Sequence, residues 1–228
     1  MITVLCPTRG RPGQAGEMVD SFLATSVLED TRLVLVVDED DPDVSDYLTL
    51  RPVDERFLGS VLLAPQWTGD LVRATNSAAS AFWDADCILG HVGDDHRFRT
   101  EAWDEKVGYA LLVPGVAYGD DGYQHENMPT AVFISSVIPR TLGWYALPSC
   151  RHLFIDNAWK VLGSKTRLTY LPDVLIEHMH PAAKKGTWDA SYLASNSKEM
   201  FAHDSAAYDA WMRDRLPADV SLLQEMLP

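Results

Sequence analysis

The sequence predicts an α/β protein built on a mixed, mainly parallel sheet flanked by helices, with a helical C-terminal extension. Three observations carry that expectation. Short aliphatic runs recur along the first hundred residues with almost no polar residue inside them, as strands covered on both faces require. Segments of helical period separate these runs. The runs also end alike, in "PTRGR", "DEDD" and "GDDH".

The elements follow in order. "ITVLCP" is a buried strand, closed by Pro7 and the turn "TRGRPG". From Gln14 to Thr25, Met18, Val19, Phe22 and Leu23 recur at helical spacing. "RLVLVVDEDD" repeats the first strand pattern. Pro52 to Leu58 is polar and irregular, and "SVLLAP" is a third strand. "GDLVRATNSAASAFW" puts Leu71, Thr75, Ala78, Ala79 and Phe82 on one helical face, and "DCILGHVGDDH" is a fourth strand running to His96. After residue 100, "EAWDEKVGYALL" reads as a helix, "GVAYGDDG" as a strand and turn, and "TAVFISSVIPRTLG" as a strand and short helix. "DNAWKVLGS" is a helix with an acidic start and a Gly near its end, and "TRLTYLPDVLIEHMHP" a last strand system. The tail from Ala190 is helical with a break at Pro217. With no evident linker, residues 1–190 form one domain and 191–228 a helical extension packed on it.

Composition narrows the function. The chain has 228 residues, 46% apolar and 23% charged, which is enough for a real core. Its 19 basic and 33 acidic residues give a formal charge of -14. Such a balance argues against non-specific binding to nucleic acid or to an anionic membrane. Cys6, Cys87 and Cys150 show no zinc-type spacing, and Cys6 and Cys87 sit in apolar runs as small buried hydrophobes. The expected compartment is reducing and cytoplasmic. The N-terminus reads as a strand and turn rather than a signal peptide, and no apolar run is long enough to span a bilayer.

In open α/β sheets, ligands bind beyond the carboxyl ends of the strands. Three polar endings on one rim would bring arginines and carboxylates together, as suits a phosphorylated ligand with a divalent cation. Asp94, Asp95 and His96 form the densest of these endings, and adjacent like charges after a buried strand are costly without a counter-cation. The plain alternative is a polar turn capping the next helix.

Taken together, "PTRGRP", "VVDEDD", "RATNSAA" and "GDDH" resemble the first half of a GT-A fold nucleotide-sugar glycosyltransferase. "FIDNAWKVLG" and "EHMHP" are similar to its acceptor half. The likeness spans about residues 1–190 and points to small bacteriophage-encoded enzymes and their bacterial relatives. The metal motif departs from the usual Asp-any-Asp or paired acids, being Asp94-Asp95-His96.

The resemblance implies a manganese or magnesium ion bridging the diphosphate of a nucleoside diphosphate sugar, with a UDP-sugar the expected donor. Asp95 is the first-choice ligand, Asp94 faces the ribose or binds through water, and His96 is open. A late histidine completes the metal shell, which His178 or His180 would supply, with His178 favoured. Pro7 and Thr8 shape the nucleotide pocket, Arg9 and Arg11 grip the diphosphate or the base, and Asp38 accepts from base or ribose. Asp40 and Asp41 read as an exposed acidic loop. Arg73 and Asn76, three apart on one helix, approach the donor. Asp156 is the general base of an inverting enzyme, against the plain reading of a helix-start acid. Asp120 and Asp121 bind acceptor hydroxyls or cap a loop. Lys184, Lys185 and Trp188 form a lid over the diphosphate or a surface loop. Trp67, Trp83, Trp103, Trp144 and Trp159 read as mostly core, with Trp144 and Tyr145 the best candidates for a sugar-stacking surface.

The expected activity is metal-dependent transfer of a sugar, with inversion, to a hydroxyl on a protein, a modified DNA base or a glycan. Two rival readings are a nucleotidyltransferase or pyrophosphorylase, which would carry a longer Gly-rich basic loop than "TRGRPG", and a silent nucleotide-sugar binding module.

Overall fold

The computed structural model describes residues 1–50, 54–63 and 70–226. Eight strands run in chain order: β1 (Ile2–Thr8), β2 (Thr31–Asp38), β3 (Phe57–Leu63), β4 (Ile88–His91), β5 (His96–Phe98), β6 (Val116–Asp120), β7 (Val132–Ser135) and β8 (Leu168–His178). They form one sheet in the order β3-β2-β1-β4-β7-β6-β8-β5. The helices are α1 (Pro12–Thr25), α2 (Val44–Thr49), α3 (Leu71–Ser80), α4 (Trp103–Ala110), α5 (Val137–Leu142), α6 (Ile155–Lys165), α7 (Ala190–Ser195), α8 (Lys198–Asp214) and α9 (Leu216–Met226).

The bare aliphatic runs reflect two cores. In β1, Val4 and Cys6 face one core and Leu5 the other; in β2, Leu33 and Leu35 face the first and Val34 and Val36 the second. Both of these strands have both faces covered, so successive residues must all be apolar. The first core is capped by α1 and α4, where Phe22, Phe98 and Trp103 pack at centroid distances of 4.5–5.7 Å. Burying each such ring contributes about 2–3 kcal/mol. The second core lies under α3, α5, α6, α8 and α9, with Trp144, Trp159 and Trp211 among its buried residues.

Topology decides where the polar ends go. β1 pairs in parallel with β2 and β4, and β2 with β3. β7 is antiparallel to both β4 and β6, so β6 runs with β4, and β8 is parallel to β6. The carboxyl ends of β1, β2, β4, β6 and β8 therefore share one rim. β5 pairs antiparallel with β8, setting His96 directly opposite His178.

Several expectations need correction. The fourth strand does not run through to the acids: it stops at His91, and Val92–Asp95 turn the chain before β5 opens at His96. The turn is pinned because Val92 N donates to Leu5 O and the Arg97 guanidinium donates to Asp94 O and His96 O. The break in the tail falls at Arg215; Pro217 sits in the first turn of α9, where its missing N–H has no helical partner to lose. A further break lies between α7 and α8. The polar stretch before β3 is shorter than read, since Phe57 and Leu58 already belong to the strand. α2 had no reading at all. Asp41 is no exposed acid: it is 2% exposed and accepts from Gly10 N and Asp43 N. Trp144 and Tyr145 offer no stacking surface, because both rings are buried and Tyr145 Oη donates to Leu89 O. Trp67 lies outside the described residues.

Candidate metal and donor site

The rim gathers most of the residues the sequence singled out. Asp94 and Asp95 are both buried in the Val92–Asp95 turn. Thr8 Oγ1 donates to Asp94 Oδ2 at 2.7 Å, and Arg11 approaches Asp94 Oδ1 at 3.3 Å. The first loop is clamped to the second strand end, as Arg9 bonds Asp38 at 2.9 Å and Asp40 at 2.6 Å. Tyr47, on α2, holds the loop from behind: its hydroxyl accepts from Arg11 N at 2.7 Å and contacts Thr8 Oγ1 at 3.2 Å. Pro7 is partly exposed at the end of β1.

Asp95, His96 and His178 form the tightest group, with a ligand atom from each within 4.8 Å of the others. The cause is register. Side chains directly opposite in an antiparallel pair lie on the same face, and the rings of His96 and His178 stack at 4.3 Å. His178 Nε2 lies 3.0 Å from Asp95 Oδ2, and Met179 N donates to Asp95 O at 2.8 Å. Gly93 makes room: a Cβ there would come within 2.5 Å of Asp95 Oδ1.

Charge is divided unevenly across the group. Burial pushes Asp94 up to about 6, with Asp95 adding to it and Arg11 and Thr8 opposing. Burial also works against ionised Asp95, but hydrogen bonds to His178 and His96 outweigh it and leave the carboxyl well below the usual range. Burial lowers His178, yet Asp95, Asp121 and Asp156 together raise it. His96 is lowered, by burial first and by its charged neighbour His178 second. The outcome is an ionised Asp95 between two imidazoles shifted in opposite directions, His178 upward and His96 downward.

The donor set fits a divalent cation. His96 Nε2 and His178 Nδ1 are buried polar atoms without a hydrogen-bond partner, the kind of orphan a bound ion satisfies. One carboxylate and two imidazoles suit zinc best and manganese next, ahead of magnesium, which holds to all-oxygen shells. Gly93 N donates to His96 Nδ1 at 3.0 Å, placing the neutral ring's proton on Nε2. A cation at that nitrogen requires the other tautomer, so His178 is the freer ligand. His180 stands outside the group. Its Nδ1 accepts from Ala182 N, and its ring packs against Tyr123, Trp188 and Tyr192.

Asp156 is the second residue of α6 and faces the same rim. Burial raises its carboxyl to about 7; His178 opposes, while Asp121 and Asp95 push the same way. Its placement is enforced from both sides. Phe154 takes a left-handed φ of 64°, costly for a bulky residue, and is held by Phe201 and Tyr208. The buried Asp204 of α8 accepts from the amides of Arg151, His152 and Leu153, fixing the approach to α6.

Other expected residues go elsewhere. Asn76 does not reach toward a donor: its amide bonds Ala146 O, Tyr145 N and Ala146 N, tying α3 to that loop. Arg73 is exposed beside Asp70. Asp121 caps its loop, accepting from the amides of Tyr123, Gln124 and His125, and its Oδ2 lies 3.9 Å from His178 Nδ1. Asp120 binds Tyr170 and His125. Lys185 pairs with Glu177 at 2.8 Å, and Trp188 is 54% exposed. Two contacts had no sequence reading. Asp189 binds Arg11 through two hydrogen bonds of 2.8 and 2.6 Å, and the Tyr192 hydroxyl donates to Asp95 Oδ2. Asp189 three residues before Tyr192 is a legible helix cap, but nothing in the spacing reveals what either residue touches.

No protein-family model and no curated protein matches the sequence. Solved structures do match. The Staphylococcus aureus TarS fragment 1–349 in complex with UDP-GlcNAc aligns with a TM-score of 0.61 at 12% identity, over 98% of this chain and 70% of that one. The mannosyltransferase PcManGT from Pyrobaculum calidifontis, in complex with GDP-Man and Mn2+, gives 0.57 at 14% identity, over 99% and 79%. A putative glucose-1-phosphate thymidylyltransferase from Bacillus anthracis gives 0.51 at 10% identity, over 84% and 99%. The chain has the GT-A fold, a mixed and mostly parallel sheet with helices on both faces and a helical C-terminal region.

Proposed function

We propose that this chain is a metal-dependent glycosyltransferase that moves a sugar from a nucleoside diphosphate donor to an acceptor hydroxyl with inversion. The observation that carries the reading is the cluster of Asp95, His96 and His178 at the rim, with the arginine-bearing loop on one side and Asp156 on the other. A divalent cation held by Asp95, His96 and His178 would neutralise the charge that develops on the diphosphate as the sugar leaves. Arg9 and Arg11 supply guanidinium forks for phosphate. Thr8 and Asp38 border the nucleoside end of the rim. Asp156 takes the proton from the acceptor hydroxyl as that oxygen attacks the anomeric carbon, and a carboxyl near 7 is matched to that work. UDP-GlcNAc in TarS and GDP-Man with Mn2+ in PcManGT support this class of donor and the use of a metal.

The test is Asp95→Ala assayed with a panel of UDP- and GDP-sugars. Release of nucleoside diphosphate should fall by on the order of 10²-fold or more and lose its response to Mn2+. An unchanged rate with unchanged metal dependence would sink the proposal. The thymidylyltransferase likeness keeps a nucleotidyltransferase in the same assay: pyrophosphate exchange, in place of nucleoside diphosphate release, would decide for it.

A further inference from the structure

The cationic and acidic groups assigned to the donor are already engaged by one short stretch of the same chain. The Arg11 guanidinium faces the Asp189 carboxylate through Nε at 2.8 Å and a terminal nitrogen at 2.6 Å. This fork-to-fork geometry is the one an arginine uses for phosphate. The Tyr192 ring lies beneath the same guanidinium, 4.2 Å from centroid to Cζ, and its hydroxyl donates to Asp95 Oδ2. One turn of chain thus places an anion where a phosphate would sit and a proton donor on the carboxylate oxygen that a cation would take.

Resting on the donor-site reading above, we propose that the Asp189–Tyr192 turn is an internal occupant of the donor site, which nucleoside diphosphate and metal must displace together. The two contacts release as a unit, because Asp189 Oδ1 also accepts from Tyr192 N at 2.9 Å and so defines the start of α7. Breaking the Arg11 fork frees the cap; losing the cap loosens the phenol on Asp95. Metal and diphosphate therefore assist each other through this turn, a coupling between two ligands of one element.

The turn is built to leave. Among residues 182–203, Tyr192 is the one buried side chain. Segments with so few buried contacts open at low free-energy cost. Gly186 lies hard against Met179 O, where a Cβ would collide, so the bend that returns the chain to the rim depends on that glycine.

The experiment uses the full chain and its Asp189→Ala and Tyr192→Phe variants, with folding checked by thermal melting. Mn2+ alone is titrated with detection of the free ion, and GDP and UDP are titrated by calorimetry with and without Mn2+. The decisive arm is Mn2+ alone on D189A, which removes both the Arg11 fork and the α7 cap without altering Asp95 or Tyr192. Each variant should bind roughly 5- to 30-fold more tightly than wild type, because less of the population is self-occupied. In wild type, GDP or UDP with Mn2+ should speed hydrogen exchange at the amides of residues 190–196. If wild type binds Mn2+ and a nucleotide but both variants bind them equally or less well, or exchange at 190–196 fails to rise, the turn is a fixed wall. The donor-site reading then survives without it. If no form of the protein binds Mn2+ or either nucleotide, the proposed function falls and the inference with it.

Discussion

At the scale of single residues, the site rests on groups held away from their usual charge states. Asp156 is the clearest case. With its carboxyl raised to about 7, the folded protein holds a proton that the unfolded chain has already lost above about pH 4. Stability is therefore lost as pH rises from about 4 to 7 and is level beyond. Asp156→Asn should melt higher than wild type at pH 8, with the gap closing below pH ~4. The same variant should lose on the order of 10²- to 10⁴-fold in transfer while keeping donor binding. The wild-type rate should rise with pH through an apparent pKa near 7. Gly93 supplies a second prediction. Gly93→Ala sets a methyl 2.5 Å from Asp95 Oδ1, so the acid must move. Mn2+ affinity should drop at least tenfold with little change in melting temperature, measured by free-ion titration and calorimetry.

At the scale of elements, strands and helices were legible where periodicity was clean and obscure where it was short. β1, β2 and α1 announced themselves because both faces of the strands and one face of the helix are buried. β5 did not, since its three residues merge into the apolar-to-acidic run of β4 and its existence depends on pairing with β8. α2 has six residues and one buried side chain, Tyr47, too little for a visible period. Asn76 misled for a related reason: spacing on a helix shows which residues share a face, but not whether a backbone loop lies against it. The helix-to-loop clamp at Asp204 makes a prediction at this scale. Asp204→Ala would strip the partner from three amides ahead of α6, costing roughly 2–4 kcal/mol in urea unfolding. Burial opposes the ionised form of Asp204, but His203 and those amides outweigh it and hold the carboxyl low. Its contribution is present above the unfolded pKa and lost as pH falls through the folded one. The gap between wild type and variant should narrow on acidification below pH ~4.

At the scale of the molecule, the acidic balance and the C-terminal helices matter most. With a formal charge of -14, the protein should give no shift of duplex DNA at about 0.15 M salt. A retarded band would reopen a DNA acceptor. Trp211 packs edge-on to Trp144 at 6.1 Å, and Leu216 and Leu223 belong to the second core. We propose that residues 191–228 are part of a single folding unit with 1–190. Ending the chain at residue 190 should bare that core and yield aggregating protein that binds a hydrophobic dye. Among the described residues, no helix is long and apolar enough to cross a membrane. The rim itself was half legible: acids and arginines at strand ends could be read, but their closure by Tyr192 could not, because 97 residues separate it from Asp95.

The pairing of His96 with His178 also fixes a sequence in time. Among the described residues, β5 pairs with β8 alone, and β8, which enters between β6 and β5, follows the other seven strands in sequence. A nascent chain that has emerged only through β7 carries Asp95 and His96 but neither His178 nor the strand that aligns them. Such non-local pairing forms late, since a long loop must close first. Asp95 and His96 therefore wait on β8 for His178, and any affinity of this cluster for a metal ion should appear only once that strand has paired.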